Sequence, residues 1–390
     1  MFARRTRWDL KPNRLSDAVE RLRAEGRPLL DLTESNPTRA GLAYPGDEIR
    51  AALSDPALLS YAPDPMGNPR AREAIAAHYA ASGIQIDPDR IVLTASTSEA
   101  YAWLFKLLAD PGDQVLIPKP SYPLFEFLTS LEDVEALPYA LAWDGEWHVD
   151  MPSVRMACSK ATRALVAVSP NNPTGNVLKA DERAALEELC ATRGFPLISD
   201  EVFLDYPAHA GTSLRSVLSG DGPALRFALS GLSKLAGLPQ LKLGWIAVAG
   251  PEQQSEEALA RLEVIADTYL SVNTPAQVAL PALLQAGARV RQAIQARVAA
   301  NRAWLDAHCA PSDPFRALPA EAGWYAILST PRTMPEEERV IDLARRDGVL
   351  LQPGYYFDMP REGFLVVSLL TREEAFRAGM ERVLERLRAG

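Results

Sequence analysis

A chain of 390 residues with 50 acidic and 41 basic groups, formal net charge −9, is too long for one small domain and too acidic to suit a nucleic-acid backbone. Hydrophobic residues at 47% against 23% charged provide for a full core, and no apolar stretch approaches the roughly 18 residues of a membrane span. With no Lys/Arg-rich block, neither nucleic acid nor membrane is an expected partner. The charged Met1 to Leu10 stretch lacks the apolar run of a signal peptide, and the three scattered cysteines, Cys158, Cys190 and Cys309, suit a reducing compartment. The expected location is therefore the cytoplasm.

In chain order, apolar runs predict buried strands at Ile91 to Leu93, Gln114 to Ile117, Ala164 to Val168, Pro196 to Ile198, Phe227 to Leu229 and Trp245 to Val248. Helical patterns at Ser98 to Leu108 and Ala180 to Thr192 lie between them, and that alternation predicts a mostly parallel sheet covered by helices. Beyond Glu256 an Ala/Gln/Arg-rich stretch from Thr274 to His308 reads as helix interrupted near Pro281. Short strands at Trp324 to Leu328 and Phe364 to Leu369 follow, then an amphipathic helix from Thr371 to Arg388. The fold class is thus α/β, with a large α/β domain over residues 41–285 and a smaller α+β domain over 286–390. Residues 1–40 are expected to form an N-terminal segment packing with the small domain.

Common signatures are missing: no G-x-G-x-x-G follows a strand, and there is no phosphate-loop lysine motif, no G-x-S-x-G elbow and no histidine pair at metal-ligand spacing. Attention passes to the carboxyl ends of the strands, where open α/β sheets hold their ligands. Lysine is scarce, seven against 34 arginines, so each can be inspected. Lys234 directly follows a buried strand, in Ser-Gly-Leu-Ser-Lys. A partly desolvated lysine there can shed its proton and attack a carbonyl carbon, although a lone lysine is more often a surface residue.

Three more strand ends raise its standing. Asp200, after Leu-Ile-Ser, could keep a pyridinium nitrogen protonated, or simply cap a turn. Asn172, in Ser169-Pro-Asn-Asn-Pro-Thr-Gly175, could donate to a phenolic oxygen, or serve an Asn-Pro turn. Thr94-Ala-Ser-Thr-Ser-Glu-Ala100 opens a helix with hydroxyls and free N–H groups, an anion site or an ordinary cap. Lys242 adds a second cation eight residues beyond Lys234. Together they suit the parts of one cofactor.

These motifs, in this order over nearly the whole chain, resemble the class I/II aminotransferases of the aspartate aminotransferase superfamily, the type I fold of pyridoxal-phosphate enzymes. The resemblance implies pyridoxal 5′-phosphate as cofactor and Lys234, preceded by Ser233, as its Schiff-base lysine. It implies Asp200 on the ring nitrogen, Asn172 on the phenolic oxygen, and Ser96, Thr97, Ser98 and Lys242 around the phosphate. Tyr122 would stack on the ring, and Tyr61 would reach the phosphate of the other subunit in a homodimer with shared active sites. The substrates implied are an amino acid and a 2-oxo acid.

The chain also departs from the family. Phe203 stands where a phenol is usual, so the Schiff base should keep its proton to higher pH. Lys242 stands for the usual arginine. Gly231 stands for a frequent serine, with Ser230 one step earlier. Val366 occupies the place of the arginine that clamps the substrate carboxylate. Ser35, Arg39 and Arg361 are the candidates for that duty, and Trp8, Trp324, Tyr355 and Tyr356 for an apolar pocket. Transamination is the leading expectation. A C–S β-lyase or decarboxylase on the same cofactor is the alternative that the missing clamp keeps open, and a non-catalytic regulator is disfavoured because Lys234, Asp200 and Asn172 are all present.

Overall fold

A computed structural model describes residues 1–209, 211–212 and 214–389. Its centre is an eight-stranded sheet whose strands in chain order are β1 (Ile91–Thr94), β2 (Gln114–Lys119), β3 (Glu135–Trp143), β4 (Trp147–Val149), β5 (Thr162–Val168), β6 (Leu197–Asp200), β7 (Arg226–Gly231) and β8 (Gly244–Ala249). Their spatial order is β1-β8-β7-β6-β5-β2-β3-β4. The run β7-β6-β5-β2-β3 is parallel, whereas β8 runs antiparallel to both neighbours and β4 antiparallel to β3.

The strands β1, β7 and β8 are buried almost throughout, on both faces, which is why they read as continuous apolar runs. The hairpin β3–β4 was not expected. It lies at the sheet edge, where Pro138 inside the apolar stretch Ala136 to Trp143 reads as a strand breaker, and its turn passes through Gly145 at φ 120°.

A second, four-stranded antiparallel sheet comes from the C-terminal part: β9 (Arg316–Ala317), β10 (Tyr325–Ser329), β11 (Gln352–Pro353) and β12 (Phe364–Ser368), ordered β9-β10-β12-β11. Five helices matter below: α1 (Arg14–Ala24), α2 (Thr97–Leu108), α3 (Leu232–Leu235), α4 (Thr274–His308) and α5 (Glu373–Ala389). The Asn13 side chain caps α1 by accepting from the Ser16 N–H at 2.8 Å. Asn273 does the same for α4 through Ala276, also at 2.8 Å.

The expected interruption at Pro281 is corrected, since α4 is one helix of 35 residues with a length of about 52 Å. Proline removes one backbone bond at a cost of about 3 kcal/mol. The residues around it, Ala276, Ala279, Leu280, Leu283 and Ala286, are all buried and outweigh that loss. The expected boundary between 285 and 286 falls inside this helix. Within residues 1–40, α1 packs on the C-terminal part, and Leu30–Asp31 pairs in parallel with Val349–Leu350. The first turn instead lies on the large sheet's side, where Trp8 meets Phe127 edge-on at 5.6 Å and Arg5 pairs with Asp133. Among the described residues no helix is long and apolar enough to cross a membrane.

Candidate active site

Because β8 runs against its neighbours, its first residue meets their last ones. Thr94, Gly244 and Gly231 stand in register across β1, β8 and β7, and Val168, Asp200 and Leu229 across β5, β6 and β7. Above this single edge opens a cavity of about 310 Å³. The sequence-predicted residues Ser96, Thr97, Ser98, Tyr122, Asn172, Asp200, Ser233, Lys234, Lys242 and Ser35 all line it, though they span more than half the chain. Lys234 and Lys242 are the cations of its lining among the described residues.

Lys234 sits in α3, a single turn that starts where β7 ends. Two phenols hold that turn from outside: Tyr206 donates to the Lys234 carbonyl at 2.5 Å and Tyr44 to the Gly237 carbonyl at 2.7 Å. From below, α4 presses on it at Gly287, where an added Cβ would overlap the Ala236 Cβ and come within 2.9 Å of its Cα. Burial pushes the Lys234 amine below the ordinary lysine range, with the Asp200 charge opposing. Its Nζ lies 5.0 Å from the Trp324 ring centre and 5.7 Å from that of Phe203. The result is an enclosed amine prone to lose its proton.

Strand alternation separates the two acids at the end of β6. Asp200 faces the cavity, whereas Glu201 lines a hollow on the other side of the sheet and accepts the Val217 N–H at 2.8 Å. Burial raises the Asp200 carboxyl to about 6; the Val202 N–H, the Tyr101 hydroxyl at 3.1 Å and Lys234 all pull it back. A cationic group in the cavity would complete that pull and keep Asp200 ionised.

The same alternation settles the Gly231 question. Ser230 lines the hollow on the far side with Glu201 and Trp245, so its hydroxyl is not available to the cavity. Gly231 faces in, but a Cβ there would stand 2.9 Å from both the Gly244 Cα and the Leu243 carbonyl oxygen. Across from this bare floor α2 begins. The Ser96 hydroxyl caps it by accepting the Glu99 N–H at 3.2 Å, which leaves the amides of Thr97 and Ser98 without intrahelical partners, at the positive end of the helix dipole. Lys242, exposed and in the left-handed region at φ 50°, completes an anion-binding cup.

The two neighbouring asparagines divide their labour. Asn171 is consumed by structure, donating to the Pro120 carbonyl at 3.0 Å and accepting from Ser121 at 2.8 Å. Asn172 keeps a buried Oδ1 with no partner beside the cavity. Tyr122 covers the opening with its ring half exposed.

Other expected residues lie elsewhere. Tyr61 is 77% exposed and borders a separate hollow. Arg39 and Arg361 are surface residues outside the lining, the latter with its guanidinium 4.8 Å from the Phe364 ring centre. Trp8, Tyr355 and Tyr356 do not reach the cavity, whereas Trp324 borders Lys234. Val366 is fully buried within β12, between Ile327 and Gln352.

Two participants were missed. Tyr101 lies four residues past Thr97, hence on the same face of α2, and that spacing could have revealed it. Tyr325 reaches the cavity from the second sheet, and nothing local in the sequence marks it.

Comparison with known proteins agrees with this geometry. The family model described as aminotransferase class I and II matches residues 27–385. An alanine aminotransferase of Mycobacterium tuberculosis strain H37Rv is 29% identical over 382 residues, 93% of this chain and 86% of that protein. A glutamate-pyruvate aminotransferase of Escherichia coli K12 is 26% identical over 371 residues, covering 93% and 91%. Among solved structures, an alanine aminotransferase from Pyrococcus furiosus superposes with a TM-score of 0.87 at 23% identity over the full length of both chains, a likeness of fold.

Proposed function

The chain belongs to the class I and II aminotransferase family, and from that premise we propose that its cavity holds pyridoxal 5′-phosphate on Lys234 while an amino group passes between an amino acid and a 2-oxo acid. The observation that carries this is the enclosed Lys234 amine, depressed by burial and facing Asp200 across one cavity. The residues suit the group: the Asn172 amide at the cavity wall, whose NH2 can donate to a phenolic oxygen, an anion-binding cup at the start of α2, and an acid whose burial calls for a cation. When bound, pyridoxal phosphate supplies an electron-withdrawing ring and a carbon on which an amino group can be parked.

Around it each side chain has one task. Lys234 would hold the group and, as a free amine, would serve as the base that accepts and returns the substrate α-proton. Asp200, steadied by Tyr101, keeps a proton on the ring nitrogen. Asn172 donates to the ring's phenolic oxygen. Ser96, Thr97, Ser98, Ser233 and Lys242 anchor the phosphate, and Tyr122 lies against the ring.

The exposure of Tyr61, away from the cavity of its own chain, supports the reading that it completes the site of a second subunit, in a homodimer. Isolated thiols at Cys158, Cys190 and Cys309 support a cytoplasmic setting. The names of the relatives make alanine and glutamate the first donors to try, with pyruvate as acceptor.

The test is a half-reaction. With alanine or glutamate and no acceptor, the visible absorbance of the loaded protein should give way to a band near 330 nm, and Lys234→Ala should lose the conversion by about 10⁴-fold or more. Absorbance that persists while pyruvate and ammonia accumulate would move the assignment to C–S lyase chemistry, and release of carbon dioxide to a decarboxylase. What favours testing both is that, among the described residues, the lining holds no arginine to clamp a carboxylate.

A further inference from the structure

The wall of the cavity opposite the cofactor cup is made by the second sheet. In β10 and β12 directly opposed residues share a face, and the register pairs Tyr325 with Ser368 and Ile327 with Val366. Tyr325 therefore stands one pair along from Val366, on the face from which an arginine at position 366 would have reached the substrate. What reaches the cavity there is the Tyr325 phenol. Ser35 and Asn172, both of them also cavity residues, are its polar neighbours there. Ser35 is held against this sheet, because the carbonyl of Glu34 accepts the Ser368 hydroxyl at 2.6 Å and that of Leu32 the Ser368 N–H at 2.7 Å.

Resting on the aminotransferase reading, we propose that Tyr325, with Ser35, binds the substrate's α-carboxylate through neutral hydroxyl donors in place of a guanidinium. The Asn172 amide can donate to the phenolic oxygen, which leaves the phenol's own proton and that of Ser35 free for a carboxylate. Burial pushes Tyr325 up to about 12, so it keeps that proton at working pH. A carboxylate arriving beside Lys234 meets two hydroxyls on an otherwise apolar wall, where a charge-assisted hydrogen bond is strong. Arg39 and Arg361, outside the lining, are relieved of the duty.

The test uses the cofactor-loaded enzyme and two ligands of one shape: 2-methylalanine, which has no α-proton to lose, and tert-butylamine, which lacks the carboxylate. Binding is read as the spectral change on titration. Tyr325→Phe should weaken 2-methylalanine by about tenfold or more and leave tert-butylamine unchanged; Ser35→Ala should do the same to a smaller degree. Equal effects on both ligands, or none on either, would overturn the proposal. If Tyr325→Phe does not hold the cofactor, Ser35→Ala decides alone by the same ratio. A wild-type chain that never takes up the cofactor refutes the parent reading instead, so the two failures are distinguishable.

Discussion

On the proposed cofactor side of the cleft, the lining comes from strand ends of one sheet, with backbone amides, a helix start and two lysines. On the proposed substrate side, the lining is Tyr325 of the second sheet and Ser35 of the segment laid against it, with Val366 at the position where the family resemblance implies an arginine. The first half is built from backbone as much as from side chains and is over-provided with contacts. The second rests on a few side chains that a point mutation can exchange. Cofactor chemistry and substrate choice thus sit on separately replaceable walls.

That contrast can be broken at Asp200. Asp200→Asn removes the charge that serves the ring nitrogen and should lower kcat by about 10³-fold. In the empty protein the same change works the other way. The folded Asp200 titrates near 6, above its unfolded value of 3.8, so its charge costs stability at higher pH, and stability recovers as the pH falls through about 6. Asp200→Asn should therefore raise Tm at pH 8, and the gain should fade between about pH 6 and pH 4. A gain that does not change with pH would show that Asp200 is not held against its own ionisation.

A middle-sized effect is expected where α4 supports the lysine turn. Gly287→Leu must displace Ala236 and should cost about 1–3 kcal/mol in urea unfolding, with slower cofactor uptake because Lys234 moves with its turn. The smallest is expected at Tyr101. Tyr101→Phe removes one bond to Asp200 and should lower kcat by about tenfold. It should also move the pH at which the Asp200 carboxyl titrates in the empty protein further upward, since that bond is one of the groups pulling it down.

The same division governs what the sequence discloses. Asn172, Asp200 and Lys234 are legible because each closes or closely follows a buried strand, and strand ends announce themselves as apolar runs that stop. Tyr101 is half legible, through helical spacing from Thr97. Tyr325 is not, because its meeting with Ser35 depends on pairing β10 with β12 and laying residues 32–35 against them, contacts separated by about 290 residues or more. The edge hairpin β3–β4 and the unbroken α4 were missed for a related reason: tertiary context overrides the local veto of Pro138 in the first and of Pro281 in the second.

The floor beneath the phosphate cup has a consequence for the molecule's history. At Gly231 and Gly244, main chain lies against main chain: a Cβ on the first would meet the second's Cα, and a Cβ on the second would come within 3.0 Å of the Ser230 carbonyl oxygen and 3.2 Å of the Ser96 carbonyl carbon. A lineage cannot adjust such a floor one side chain at a time without moving three strands and the start of α2 together. New preferences in this protein's descent are left to arise on the far wall, where Tyr325 and Ser35 can each be traded singly while this floor stays as it was.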